Sequence, residues 1–592
     1  MHPLLILGLV VIAVALASTI YNNITSRCRR LENLKASFGK PPEEDDSLQL
    51  ESISRYSQYI QQHNPTQQRV DTITWNDLDM DSVFKRINTC QTSVGEEYLY
   101  HNLHNLPLND NALTKRESLV QFFESNPDTR LSVQALLASR VGKENYNGLT
   151  ALMFTSSINL LKYRHIYTAL ALLPLVMSLV IIFHVPLGVI GIVGSFIINM
   201  FVHYSLKSRI TIEIPSIKYL GNLLRCCKSL LKMKPLKHLP TMAEIEGLYK
   251  TLKPIRRKAP NMPSATGELM DSFLEYARIM FLSDIRNYNK FMRMIKERSQ
   301  EFHALYRAFG ELDLSICVLS FRLSLPIYTL PEFYGCGDIQ RGNGEAGTYA
   351  STARAEDDTS GAGDSNPPKF TLAFEKIFHP LIPEPVTNSG MIKNDSLLTG
   401  SNASGKSTFI KALAINGILA QTINTCAAKS FKTRFSLIMT SMVVRDDLSA
   451  GESYFIVEIK SLKRVLDMVQ NYPCTCYIDE ILRGTNTIER IAASASVLAY
   501  LHKQDALCIA ASHDIELTYI LDGQYDNYHF REQVTDDGIV FDYKLNDGPS
   551  TTRNAIKLLD FMGFEEEIVT QAEGLAEGYA ARPVASNINR PK

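Results

Sequence analysis

The sequence predicts an all-α region that carries transmembrane helices, followed by a C-terminal α/β domain. Two long uncharged stretches, at residues 3–20 and 166–206, predict the membrane helices. Between and after them apolar residues recur largely at spacings of three and four, as in Leu99, Leu103 and Leu106, which indicates amphipathic helices. After residue 369 short apolar runs alternate with helical segments, and this alternation is typical of an α/β domain.

Length and composition exclude several classes of protein. A chain of 592 residues is long enough for about three to five structural units. Apolar residues make up 45% and charged residues 21%, which excludes disorder of the whole chain. The net charge of −1 excludes a globally basic nucleic-acid-binding protein, although it leaves room for a local basic surface. The ten cysteines show no C-x-x-C spacing, so we expect reduced structural thiols instead of a zinc site.

The first uncharged stretch predicts an N-terminal anchor. Its eighteen residues cover about 27 Å as a helix, close to the ~30 Å hydrocarbon thickness of a bilayer. No Lys or Arg precedes it, whereas Arg27, Arg29 and Arg30 follow it. By the positive-inside rule the N-terminus would lie outside and the rest of the chain in the cytoplasm. A cleaved signal peptide is the alternative interpretation.

The second uncharged stretch predicts a helical hairpin with two spans. Its forty-odd residues contain no Lys, Arg, Asp or Glu, and Pro186 lies near the middle. Basic residues flank both ends, at Lys162 and Arg164 before it and at Lys207 and Arg209 after it. Both ends are therefore expected on the cytoplasmic side. A buried hairpin of a soluble protein is the alternative. With the anchor, the hairpin predicts a multi-pass membrane protein that contacts lipid through three spans and keeps its α/β domain in the cytoplasm.

Composition places the remaining boundaries. Residues 335–368 are rich in Gly, Ser, Asp, Thr and Ala, and such a segment cannot bury enough apolar surface to become ordered. The predicted organisation is a transmembrane anchor at 1–22, a polar linker at 23–74, a helical core at 75–165, the hairpin at 166–206, a helical lever region at 207–334, a flexible loop at 335–368, the α/β domain at 369–575 and a tail at 576–592.

A phosphate-binding loop opens the α/β domain. The segment Gly400–Thr408 fits G-x-x-x-x-G-K-[ST], with an apolar strand before it and a helical run after it. Glycines let the backbone wrap the phosphates, Lys406 reaches the β and γ oxygens, and the Ser407 hydroxyl coordinates Mg²⁺. The predicted nucleotide-binding residues are Gly400, Ser401, Asn402, Ala403, Ser404, Gly405, Lys406, Ser407 and Thr408. The expected ligands are therefore ATP and Mg²⁺.

Two carboxylates follow a second apolar strand. Asp479 and Glu480 end the run that begins at Cys474. Asp479 is placed to hold Mg²⁺ through water, and Glu480 to orient or deprotonate the attacking water. The alternative is that both are solvated acids on the surface. The apolar residues of the preceding strand disfavour this interpretation, because they indicate a buried strand.

At this point the chain resembles a known family. The run Asp479-Glu-Ile-Leu-Arg-Gly-Thr-Asn-Thr487 is similar to the D-E-I-G-R-G-T-S-T signature of the MutS DNA mismatch-repair ATPases. Further similar motifs follow the family's order; they are Asp446–Glu458, Ala511–His513, Asn527–His529 and Asp547–Ser550. A weaker resemblance at Val83–Gly95 matches the opening of the family's helical core.

The resemblance implies a P-loop ATPase domain of the ABC type in a homodimer, with each ATP held between two subunits. Ser453 of one subunit would touch the γ-phosphate bound by the other, and His513 would sense that phosphate. With Lys406 and Glu480 these are the predicted catalytic residues, and Ser407 and Asp479 are the predicted metal ligands. The sequence departs from the signature at Leu482, which replaces a glycine. Only about 75 residues precede the core, so we expect no direct reading of mismatches.

Two functions remain open from the sequence. The first is an ATP-dependent protein that binds DNA in repair or recombination and is anchored to the membrane. Basic residues that could contact phosphates are Arg225, Lys228, Lys232, Lys234, Lys237, Lys253, Arg256, Arg257 and Lys258. The same residues fit a solvated face or a contact with the inner leaflet equally well. The second function is a membrane mechanoenzyme or transporter-like ATPase with no role on DNA.

Overall fold

The chain forms two units in the computed structural model. The structure describes residues 18–334 and 371–580, with gaps inside these ranges. The gaps are 19–20, 23, 44–47, 65–67, 144–163, 208–212, 257–275, 402–403, 443–453, 536–537, 551–555, 557–558 and 560. The first unit comprises Met1–Gln67, Phe84–Asn105 and Asn111–Pro326, and the second Gln68–Val83, Leu106–Asp110 and Ile327–Lys592. The predicted anchor lies almost entirely outside the described residues, and the predicted loop at 335–368 lies wholly outside them.

Helices make up most of the described residues before 327. In chain order they are α1 (Leu50–His63), α2 (Thr72–Asp77), α3 (Met80–Ile87), α4 (Ser93–His104), α5 (Asn111–Ser125), α6 (Pro127–Arg140), α7 (Arg164–Val180), α8 (Val185–Lys207), α9 (Glu213–Leu230), α10 (Pro240–Arg256), α11 (Ser283–Glu297) and α12 (Ser299–Leu323). Of these, α2 and the first half of α3 belong to the second unit. The mostly helical region predicted before the α/β domain is therefore present.

A buried carboxylate organises the core of the first unit. Asp313, near the middle of α12, accepts hydrogen bonds from the backbone N–H groups of Gln91 and Thr92 and from the Thr92 hydroxyl. Thr92 in turn caps α4 by accepting the N–H of Gly95 at 3.0 Å. A Cβ at Gly95 would lie 2.3 Å from the Asp313 Oδ2 atom, so only glycine fits there. Burial raises the pKa of Asp313 to about 6 despite these hydrogen bonds.

The uncharged stretch at 166–206 folds as two packed helices, α7 and α8, joined by a short turn. Within the described part of the chain, one helix is long and apolar enough to cross a membrane, at Val185–Leu206. The apolar part of α7, His165–Val180, is shorter than a span requires. The hairpin is therefore present, but the expected multiple transmembrane helices are not found in the described residues.

The second unit is a mixed α/β domain. Its strands are β1 (Glu332–Phe333), β2 (Leu372–Ile377), β3 (Asn388–Ile392), β4 (Ser396–Thr399), β5 (Ser430–Thr433), β6 (Leu437–Ser441), β7 (Cys474–Asp479), β8 (Ala506–Ala511), β9 (Asp526–Thr535) and β10 (Gly538–Asp547). Its helices after β4 are α13 (Lys406–Ile423), α14 (Tyr454–Val469), α15 (Thr487–His502), α16 (Glu516–Ile520) and α17 (Glu566–Ala580). A six-stranded sheet has the order β10-β9-β4-β8-β7-β6 and is parallel except for β10.

An N-terminal segment completes this domain. The Asp77 carboxylate accepts hydrogen bonds from the Thr440 hydroxyl at 2.7 Å and from the Met442 N–H at 3.0 Å, at the end of β6. The Thr440 N–H donates to the Thr74 hydroxyl at 3.2 Å. Residues 68–83 therefore pack with the α/β domain, although the sequence placed residues from 75 onward in the helical core.

Candidate functional site

The phosphate-binding loop follows β4 and leads into α13. Gly400 has φ = +140° and Gly405 has φ = +97°, conformations that residues with a Cβ rarely adopt. A Cβ at Gly405 would also lie 2.9 Å from the Tyr543 ring. Inside the loop, Ser404 donates its N–H and its hydroxyl to the Ser401 carbonyl. The loop thus has the tight backbone path that the motif predicts, while Asn402 and Ala403 lie outside the described residues.

Lys406 begins α13 and is held by the loop itself. Its Nζ atom donates to the carbonyl oxygens of Gly400 and Ser401, both at 2.7 Å. Burial lowers the pKa of Lys406 to about 8, although the charges of Asp479 and Glu480 act in the opposite direction. A bound phosphate would offer this ammonium group a stronger acceptor than the two carbonyls.

Asp479 and Glu480 lie at the same edge of the sheet as the loop. The carboxyl ends of parallel strands meet at one edge, and β8 separates β4 from β7. Asp479 is buried, and its Oδ1 atom has no hydrogen-bond partner among the described residues. An unpaired buried carboxylate oxygen fits the role of a metal ligand, directly or through water.

Glu480 is paired on both of its oxygens. His513 Nε2 lies 2.7 Å from Oε1, and the Arg483 guanidinium forms an ion pair with Oε2. Burial acts to raise the pKa of Glu480, but the hydrogen bond to His513 and the charges of His513, Arg483 and Lys406 together lower it. Glu480 is therefore held as a carboxylate, the form that a general base requires.

The loop that carries His513 is fixed from two sides. The Ser512 N–H donates to the Leu398 carbonyl of β4 at 3.0 Å. Arg490 on α15 binds Asp514 through two hydrogen bonds of 2.6 and 2.9 Å. His513 is thereby placed beside Glu480 by its immediate neighbours.

The turn after Glu480 has an unusual backbone. Glu480 and Leu482 both have positive φ, at +55° and +58°. Leu482 occupies the position where the MutS signature has glycine, and the left-handed conformation accounts for that preference.

A carboxylate on α14 holds this turn. The Glu458 Oε1 atom accepts the N–H groups of Leu482 and Arg483. The neighbouring Phe455 packs against the same turn, since a Cβ at Gly484 would lie 3.1 Å from the Phe455 Cβ. Helix α14 thus supports the backbone around Glu480, and it directly follows the segment with Ser453, which lies outside the described residues.

A cavity of about 530 Å³ adjoins the start of α13. It is lined by Phe378, His379, Ile382, Ser407, Phe409 and Tyr543, among others. Burial lowers the pKa of His379 to about 4, so this ring is neutral near pH 7. The cavity offers an apolar and aromatic wall next to the phosphate-binding loop, as the base of a nucleotide requires. Apart from Ser407, these residues were not predicted from the sequence, where the only local signal was the His379-Pro380 pair after β2.

The structure thus brings most of the predicted site residues into one place. The loop residues Gly400, Ser401 and Ser404–Thr408 lie at one edge of the sheet with Asp479, Glu480 and His513. Asn402, Ala403 and Ser453 cannot be placed, because they lie outside the described residues.

Comparison with known proteins assigns the domain. The family model described as MutS domain V matches residues 396–579. The chain thus carries a domain of the MutS family at residues 396–579. It is 31% identical over 187 residues to the DNA mismatch repair protein MutS of Natronomonas pharaonis, a match that covers 31% of this chain and 22% of that protein. It is 30% identical over 188 residues to MutS of Thermus aquaticus, with 31% and 23% covered.

The similarity extends to a eukaryotic relative. MutS protein homolog 4 of Mus musculus is 31% identical over 229 residues, covering 35% of this chain and 24% of the relative. The chain therefore matches about a quarter of the length of these relatives.

Proposed function

We propose that this protein is an ATP hydrolase that works as a homodimer, engages DNA in repair or recombination without reading mismatches directly, and is associated with a membrane. The observation that carries the ATPase part is the convergence of Lys406, Asp479, Glu480 and His513 at one edge of the sheet. These side chains come from three separate segments of a MutS domain V.

In the proposed reaction the phosphates of ATP lie at the N-terminus of α13, where free N–H groups and the helix dipole favour negative charge. Lys406 exchanges the carbonyls of Gly400 and Ser401 for phosphate oxygens. Ser407 and the unpaired Oδ1 atom of Asp479 would hold Mg²⁺. When bound, this ion supplies positive charge that offsets the charge developing on the phosphate oxygens.

Glu480 would orient the attacking water and accept its proton. Each of its oxygens already has one partner, and replacement of one of these partners would give the water an oxygen atom of its own. His513 is the suitable one, since the family resemblance gives it the role of sensing the γ-phosphate. Rotation of the His513 side chain toward the phosphate would release the Oε1 atom of Glu480. Binding of ATP would then itself prepare Glu480 to act as the base.

The proposal for DNA and for the dimer rests on the family. The relatives are named DNA mismatch repair proteins. Four exposed lysines of the first unit, Lys228, Lys232, Lys234 and Lys237, lie at the end of α9 and in the turn before α10, where a local basic surface supports contact with phosphates. Arg257 and Lys258 of the predicted basic set lie outside the described residues.

The proposed membrane association rests on the apolar hairpin α7–α8, whose outward side chains include Leu179, Ile182 and Phe183 at 63%, 75% and 89% exposure. The multi-pass arrangement with three spans stays a prediction. The same hairpin favours the second candidate function, a membrane mechanoenzyme without DNA.

One experiment separates these functions. The full-length protein, purified in detergent, is assayed for ATP hydrolysis at ~50 mM salt with and without duplex or branched DNA. Stimulation by DNA that disappears at higher salt supports the first function. Hydrolysis that DNA leaves unchanged, with no DNA retained on a filter, supports the second. Loss of hydrolysis in Glu480→Gln but not in Glu516→Gln, an exposed carboxylate on α16, assigns the activity to this site.

A further inference from the structure

The hairpin α7–α8 is packed in the way that helices pack in lipid. A Cβ at Gly188 would lie 2.4 Å from the Ile181 side chain, and a Cβ at Gly191 would lie 2.4 Å from the Met177 sulfur. The two helices thus approach closely through small residues on α8, whereas water-soluble helix pairs use large apolar side chains at such contacts. Their outer faces remain apolar and exposed.

Three polar side chains between Ser178 and Ser195 form hydrogen bonds within the hairpin. The Ser178 hydroxyl donates to the Pro174 carbonyl and the Ser195 hydroxyl to the Ile192 carbonyl, both at 2.8 Å. The His184 Nδ1 atom accepts the Leu187 N–H at 3.4 Å. Internal satisfaction of this kind is what a surrounding without water demands.

At its base the hairpin is bound to another segment of the chain. Pro174 has no N–H group, so the Leu170 carbonyl four residues earlier loses its helical donor. The buried Asn199 of α8 donates its Nδ2 group to this carbonyl at 3.1 Å and also to the Met280 carbonyl at 2.7 Å. One amide therefore ties both arms of the hairpin to the segment that precedes α11.

That segment covers α8 from Phe196 onward. The rings of Phe196 and Tyr276 lie 6.4 Å apart, and Leu282 and Ile285 form a core with Ala171. The covering segment contains Arg278, and Asp284 and Arg286 follow it in the first turn of α11. Because charged side chains are costly at the centre of a bilayer, this part of the chain is not expected in the hydrocarbon.

The part of the hairpin beyond this covering segment is about as long as half the thickness of a bilayer. From Phe196 to Val185 is eleven residues, or about 17 Å of helix, and from Ala171 to Val180 is nine, or about 14 Å. One leaflet contributes ~15 Å of hydrocarbon, and a complete span needs about 20 residues. We propose that the tip of the α7–α8 hairpin inserts into a single leaflet of a lipid bilayer and returns to the side from which it entered.

Other features agree with this geometry. Basic residues flank both ends of the hairpin, as expected when both ends lie on one side. On the uncovered face of α8, Phe201 and Tyr204 are exposed at 75% and 54%, at the level where aromatic rings favour the interface between headgroups and hydrocarbon. The proposal rests on the membrane association proposed above and is independent of ATP hydrolysis.

Cysteine labelling tests the topology in the full-length protein. The background carries Cys28→Ser and Cys336→Ser, which remove the one exposed cysteine among those described and the cysteine outside the described residues. One cysteine is then introduced in place of Phe183 at the tip, Ile190 on the arm or Tyr204 at the base. The background without an added cysteine is labelled in parallel, native and denatured, and the signal of its eight remaining cysteines is subtracted. Each variant is added to preformed vesicles of phosphatidylcholine with a minority of phosphatidylglycerol. A membrane-impermeant maleimide is then supplied outside or trapped in the lumen, and denatured samples in detergent serve as the control for full labelling.

The expected result is labelling of Tyr204→Cys from outside and protection of Phe183→Cys and Ile190→Cys from both sides. Labelling of Phe183→Cys by the lumenal reagent would show two complete spans and overturn the single-leaflet topology while leaving membrane association intact. Labelling of Phe183→Cys from outside, to the extent seen in denatured samples, would show that the tip is in water and would overturn the insertion itself.

Discussion

Leu482 offers a direct test of the strained turn that carries Glu480. Its φ of +58° is a left-handed conformation that costs a residue with a Cβ about 1–2 kcal/mol. Glycine does not bear this cost, but it loses about 0.4–1 kcal/mol more conformational entropy on folding than alanine. We therefore expect Leu482→Gly to be more stable than Leu482→Ala by about 0.5–1 kcal/mol, the reverse of the usual order.

Both variants should be less stable than the natural protein. Leu482 is 7% exposed, and truncation of a buried leucine costs about 2–5 kcal/mol. The expected order of melting temperature is therefore wild type, then Leu482→Gly, then Leu482→Ala. For a transition of this size, 0.5–1 kcal/mol separates the two variants by roughly 1–4 °C.

Tryptophan fluorescence reports this transition. The chain has one tryptophan, Trp75, which is buried in the second unit and donates to Asp81 at 2.9 Å. A matched pair at the buried Leu498, inside α15, supplies the control, because there alanine should melt above glycine. An equal or higher melting temperature for Leu482→Ala than for Leu482→Gly would refute the reasoning from backbone strain.

Four further outcomes are expected. Glu480→Gln should retain ATP binding and lose hydrolysis by a factor on the order of 10², and a near-normal single-turnover rate would place the base elsewhere. Since the pKa of Lys406 is about 8 and bound phosphate should raise it, ATP binding above pH 8 should take up protons and weaken as pH rises. Calorimetry in buffers of different ionisation enthalpy measures this uptake, and its absence would contradict the prediction. Mixed Ser453→Ala and Lys406→Ala proteins should recover activity that neither homodimer has, because a heterodimer keeps one intact composite site; full activity of Ser453→Ala alone would exclude such a site. Gly95→Ala should destabilise the first unit by about 1–3 kcal/mol, because the new Cβ would lie 2.3 Å from the Asp313 carboxylate. Thermal unfolding followed by circular dichroism measures this loss, and an unchanged melting temperature would show that the core rearranges to accept the methyl group.

Local patterns predicted the centre of the site. Gly400–Thr408 and Asp479–Glu480 are each contiguous, and a strand before them and a helix or turn after them are visible in the sequence. Their common location then follows from parallel strands, whose carboxyl ends share an edge. These site residues could therefore be predicted without information on contacts between distant parts of the sequence.

Long-range contacts supplied the rest. The hydrogen bonds of Glu458 to the turn at Leu482 join residues 24 positions apart, and no periodic pattern indicates them. The cavity wall at His379 and Tyr543 depends on strands that are far apart in sequence. In the hairpin, composition alone predicted two spans, whereas the depth of insertion depends on where Asn199 meets Met280.

The segment at 68–83 has a consequence for biosynthesis. Thr74 binds Thr440, which is 366 residues further along the chain. At about 5–20 residues per second a ribosome needs roughly 20–70 s to produce that partner, and Trp75 lacks its buried environment in the meantime. Residues 68–83 of the nascent chain therefore lack their packing partner for most of translation. A fragment that begins at residue 369 would lack this piece altogether, so expression of the domain alone calls for 68–83 to be fused to it or supplied as a separate peptide.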